Sequence, residues 1–240
     1  MKKYKIVNQW NLLFVTLITL LLLIKAGLSV DRNDNLRHVF CMEYNERSFL
    51  LLYLNIHLVG LLPIFSKIFK EEQIVRSQSK VCFLRQRLKE IILQSVIYSL
   101  LLTLGWYFIV GIQLKNNVLL EALVMIGYYF IKVMIGMLAI GIFSMGVYIV
   151  IQNLVISYIV SYGILILLNF SLFGDTTSFL YQYMSVFRFM FTSNFQWELY
   201  REISKANFHI FLSILLYSLA YAGIKKHDFL KKGHEKGEDV

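Results

Sequence analysis

Charge is scarce in this chain: only 16% of its 240 residues are charged, too few for an ordinary soluble domain of this size. Cysteine is scarcer still. Cys41 and Cys82 are the only two, which excludes a disulfide framework and leaves no spacing for a zinc site. Proline occurs once, at Pro63, so one place alone invites a proline bend. Signature motifs are missing as well. Without GxxxxGK[ST] the chain carries no P-loop ATPase site of its own. Without HExxH or GxSxG the commonest zinc-protease and serine-hydrolase chemistries drop out, and no enzyme activity is expected of the chain alone.

Apolar side chains are abundant. They make up 58% of the residues, and the mean hydropathy of +0.61 is that of a polytopic membrane protein. The formal net charge of +9 would point to nucleic acid in a soluble protein. Here the bases flank apolar runs, so anionic membrane lipid and the positive-inside bias account for them and no nucleic-acid partner is expected.

Hydropathy predicts an all-α protein, one transmembrane domain over 1–240, with six spans at about 10–30, 48–69, 91–112, 118–151, 154–172 and 208–224. The opening Lys2, Lys3 and Lys5 before an apolar run resemble a signal peptide. The run is long enough to span, however, and Ala26-Gly27-Leu28 lacks a small-x-small cleavage pattern, so a retained helix is expected. The fourth run would reach about 50 Å at about 1.5 Å per residue, against a hydrocarbon core of about 30 Å, which predicts one long or broken helix. Gln152-Asn153 marks a tight turn into the fifth span. Between spans five and six, Gly174 to Asn207 is dense in aromatics such as Phe179, Tyr183 and Trp197, and is expected to be interfacial or re-entrant in part. The segments assigned to the inside hold fifteen Lys and Arg against seven in the external loops, which places both termini in the cytoplasm. Cys41 and Cys82 then fall on opposite sides of the membrane.

Between spans two and three lies a charged island, Lys67 to Glu90, with seven bases and three acids. If Ile74 to Leu88 is one helix, Ile74, Val81 and Leu88 share a face while Arg76, Lys80 and Arg87 share another. Such an amphipathic helix suits the inner membrane surface or a cytoplasmic partner. Within the spans, Lys132, Glu121 and His57 are the candidate polar groups. Glu121 and Lys132 share a helix face but stand about 16 Å apart, too far to pair. A buried ammonium at Lys132 needs a cavity, a bundle interior or a partner's carboxylate. His57 has no second His, Asp or Glu at ligand spacing in its span, so packing is expected of it rather than metal binding.

Two families share features with this pattern. Glu71-Glu72-Gln73-Ile74-Val75-Arg76 matches EExxxR, the first motif of the intramembrane prenyl-endopeptidase-like family, yet no FxxxH follows. The architecture as a whole resembles a membrane subunit of the bacterial ABC-2 class of transporters, of the small peptide-export or bacteriocin-immunity type. The likeness rests on six spans, the basic segment Glu71 to Glu90, the long fourth run, the apolar stretch Thr177 to Phe191 and the closing Ile224-Lys225-Lys226-His227-Asp228-Phe229. It implies that Ile74, Arg76, Lys80, Val81, Arg85, Arg87 and Leu88 form a coupling helix docking on a separate ATPase subunit, which would hold the ATP and magnesium. It also implies a second permease subunit and a place in the bacterial cell membrane. A non-transport membrane scaffold or immunity protein is the alternative.

Overall fold

The computed structural model describes residues 2–28, 39–40, 49–68, 80–114, 119–169, 186–191 and 199–226. Every regular element among them is helical. Helix α1 runs Lys2–Leu28. A π-helical turn, Phe49–Tyr53, leads into α2, Leu54–Phe65. Helix α3, Lys80–Leu100, passes into a second π-helical turn, Leu101–Gly105, and a short last turn, Trp106–Ile109. Then follow α4 (Leu119–Ile151), α5 (Leu154–Asn169), the short α6 (Val186–Phe191) and α7 (Leu199–Lys226).

Among the described residues, three stretches are long and apolar enough to cross a membrane: Leu84–Gln113, Ala122–Ile151 and Tyr200–Ile224. A 30-residue helix reaches about 45 Å, comfortably beyond a hydrocarbon core of about 30 Å. Leu13–Leu28, Leu51–Phe65 and Leu154–Leu168 are shorter apolar helices. Large apolar side chains stand exposed along the outside, among them Leu17 and Leu21 of α1, Ile131 of α4 and Phe211 and Ile214 of α7. Water would penalise such a surface, whereas lipid matches it. The chain is therefore an all-helical, multi-pass membrane protein.

Helix α4 is the centre of the bundle and touches α2, α3, α5, α6 and α7. Its buried side carries Tyr129, Val133, Met137, Ile140 and Met145. Two glycines let neighbours approach its backbone. A Cβ on Gly141 would stand 2.6 Å from Ile91 Cγ2 of α3, and one on Gly136 would collide with the Met190 side chain of α6. Bulk at Gly141 would press on the branched Ile91 of α3, whereas bulk at Gly136 would require the flexible Met190 side chain to move.

The hydropathy reading of 118–151 corresponds to one unbroken helix, α4, and the expected Gln152-Asn153 turn joins it to α5. Gln152 takes φ 58°, a left-handed conformation that stops α4. Asn153 then caps α5: its Oδ1 accepts the N–H of Val155 and of Ile156, both at 3.1 Å.

Other boundaries differ from expectation. The third span and the end of the basic island are one continuous helix, so Lys80 to Glu90 forms the first turns of α3 and is not a separate surface helix. The sixth helix begins at Leu199, nine residues before the expected Phe208, because Arg201, Glu202 and Lys205 interrupt the apolar run without interrupting the helix. Pro63 falls in the last turn of α2, just before the basic island. Ser66 closes that end, with its N–H on Leu62 O and its Oγ on Pro63 O, at 2.9 and 3.0 Å.

Candidate functional site

The deepest charge of the fourth run, Lys132, is 4% exposed and belongs to an ionic cluster between α4 and α7. Its Nζ donates to Glu202 Oε2 at 2.6 Å and to Tyr128 Oη at 3.1 Å. The Tyr128 hydroxyl in turn donates to Glu202 Oε2 at 3.0 Å. Lys205 Nζ reaches the other carboxylate oxygen, Oε1, at 3.2 Å. The amine also lies 4.8 Å from the centre of the Tyr128 ring and 5.7 Å from that of Phe189. Four-residue spacing puts Tyr128 and Lys132 on one face of α4, while three-residue spacing does the same for Glu202 and Lys205 on α7. Glu202 falls in the first turn of α7, where the helix dipole favours a carboxylate.

Of the roles open to Lys132, a partner carboxylate is the one the structure supplies. Glu202 was outside the candidates read from sequence. The signal was present in the recurrence of Glu202, His209 and Ser213, which marks a polar stripe on a helix starting well before Phe208. His209 continues that stripe inward: it is fully buried, neither ring nitrogen has a hydrogen-bond partner among the described residues, and its ring packs 4.6 Å from that of Phe189. Glu121 lies on α4, eleven residues before Lys132, with its side chain outside the described residues.

His57 joins three helices. It is fully buried in α2, and its Nε2–H donates to the Met137 carbonyl of α4 at 3.2 Å. Its ring stacks on Tyr98 of α3 at 5.2 Å, and Tyr98 donates its hydroxyl to Tyr53 O at 2.7 Å. Nearby, Tyr158 of α5 donates to Asn55 Oδ1 at 2.6 Å. These bonds satisfy polar groups that lipid cannot, and they fix the register of α2 against its neighbours.

A second charged group sits at the start of α3. Arg87 is 4% exposed, and its Nη1 donates to both oxygens of Glu90, at 2.9 and 2.8 Å. Lys67, just past α2, approaches Glu90 at 3.9 Å. Of the residues assigned to coupling, Arg85 is exposed and Leu88 half-buried. Lys80 and Val81 open α3 with side chains outside the described residues, and Ile74 and Arg76, with Glu71 and Glu72, lie outside them altogether. Arg87 therefore does not share an outward cationic face: it turns inward and braces α3.

Among the described residues no three His, Cys, Asp or Glu side chains gather as metal ligands would. No protein-family model matches the chain, and no curated protein matches it.

Proposed function

We propose that the chain is the membrane-spanning permease subunit of an ATP-binding-cassette exporter, moving a peptide or other amphipathic substrate outward with a separate ATPase subunit. In this reading it crosses a bacterial cell membrane six times with both termini inside, and packs against a second permease subunit, identical or sibling. One observation carries it: Lys80 to Leu100 is a single helix, and its basic start is tied to α2 through Glu90. A load applied at the basic end would enter the membrane along one continuous α-helix as far as the π-helical turn at Leu101–Gly105. The surface contact on the ATPase falls to Arg76, Lys80 and Arg85, while Arg87 holds the helix in place.

Replacing Arg76 and Arg85 with Glu is expected to abolish co-purification of an ATPase in mild detergent while membrane insertion is kept. Undiminished association would sink the coupling assignment. A different observation favours the non-transport scaffold or immunity reading: Lys132, the deepest amine, is engaged by Glu202 and Tyr128 and is not turned to cargo. A native pull-down of the tagged chain decides between them. An ATPase in stoichiometric amount supports the exporter; an intact chain recovered without one supports the scaffold.

A further inference from the structure

A groove of about 380 Å³ opens between α4, α5 and α7. It is lined by α4 from Phe143 to Ile151, by Val160 of α5 and by α7 from Leu216 to Gly223, and every lining residue is apolar or glycine. Val150 and Leu219 at its rim are exposed. Two glycines shape it. A Cβ on Gly146 would meet nothing within 4 Å, so the place of its missing side chain is open space. A Cβ on Gly223 would stand 3.2 Å from Ile149 Cγ2, and here glycine lets α7 lie close against α4. With Lys132 facing Glu202 and Ile149 facing Gly223, α4 and α7 run parallel and end on one side of the bundle. The groove reaches those ends: Ile151 closes α4, and Lys225-Lys226 close α7 just past Gly223.

Size and charge name the occupant. Along about 12 Å of helix the volume gives a cross-section of about 30 Å², against about 80 Å² for a helix about 10 Å across. A helix of a second copy does not fit inside, whereas one extended hydrocarbon chain does, and apolar walls favour it over water. At the helix ends the balance is basic: residues 225–232 carry four lysines against one aspartate. Lysines grouped where a membrane helix ends attract anionic headgroups. We infer that the groove is a binding site for one anionic phospholipid, with an acyl chain lying between α4 and α7 and the phosphate held at the Lys225-Lys226 end. Occupancy would fill the space that Gly146 leaves and join the ends of two helices that meet the clasp at their other halves. The site does not depend on whether the chain serves an exporter or a scaffold.

Native mass spectrometry of the full chain, titrated in mild detergent with phosphatidylglycerol or with phosphatidylcholine of the same acyl chains, tests this. One saturable phosphatidylglycerol is expected, held more tightly than phosphatidylcholine by about fivefold for each lysine engaged. Lys225→Gln together with Lys226→Gln should erase that preference and leave the two lipids equal. Gly146→Leu should remove the saturable site for both lipids, because leucine takes up the open space at that position. Gly127→Leu, at an equally open glycine toward the other end of α4, should bind as the unaltered chain does. The lysine variant changes only a helix end and reads the same site where Gly146→Leu does not fold. Equal binding of both lipids by the unaltered chain, or saturable binding that survives Gly146→Leu, would mean adventitious lipid only and overturn the inference. A dimer that Gly146→Leu converts to monomer would overturn it as well, since the groove would then belong to a second copy.

Discussion

Two ionic groups among the described residues use the same side-chain chemistry for different purposes. The Lys132 cluster joins residues 70 positions apart and fastens α4 to α7. The Arg87 cluster is built mainly from a pair three residues apart on α3, with Lys67 added at 3.9 Å. One is a tertiary clasp; the other stiffens a helix start and leans on a neighbour. Buried ion pairs gain little over apolar packing of the same shape, yet leaving one partner alone is costly. The comparison therefore predicts unequal responses to the same kind of substitution.

The largest effect is expected at the clasp. Lys132→Met leaves the half-buried Glu202 carboxylate, 16% exposed, with Tyr128 and Lys205 to answer it, and should destabilise the bundle by about 3 kcal/mol. Adding Glu202→Leu should recover most of that loss, since an apolar pair replaces a broken ionic one. Thermal unfolding of the single and double variants checks both. A double variant as unstable as the single one would show that the helices are held by the charges themselves.

A smaller effect is expected at the brace. Glu90 is a quarter exposed and keeps Lys67 nearby, so Arg87→Met should cost about 1–3 kcal/mol. Proteolysis of the folded chain would then open the start of α3 and leave the α4–α7 contact closed. Cleavage spreading to α7 would mean that the two clusters are one cooperative unit. The smallest effect is a gain. At the left-handed Gln152, glycine removes a side-chain clash, so Gln152→Gly should stabilise the chain by about 0.5 kcal/mol, read as a slightly higher Tm. A loss there would assign the Gln152 side chain a contact of its own.

The same contrast explains what could be read from the amino acids. Helix α4 and its turn were legible, because an apolar run ended by Gln152-Asn153 depends on local hydropathy and capping. His57 as a packing residue was legible too, since its span offers no second ligand. The partner of Lys132 was not: Glu202 lies on another helix, in a stretch whose charges and aromatics hide its helical period. Nor was the inward turn of Arg87. A basic run looks solvated from composition, and only the three-residue spacing to Glu90 hinted otherwise. Continuity of α3 through Lys80 to Leu100 escaped for a related reason: charge changes along a helix do not end it.

The 70-residue gap between Lys132 and Glu202 also sets a clock for biosynthesis. At about 5–20 residues per second, the ribosome adds the carboxylate about 4–14 s after the amine. Throughout that interval α4 exists with its lysine but without the helix that neutralises it. Tyr128, one turn away on the same helix, is the hydroxyl already at hand, and the amine's flexible stem can hold the charge toward headgroups until α7 arrives. The last long helix among the described residues to be made thus brings a carboxylate to the central one, and a chain truncated before Glu202 would lack that contact in α4.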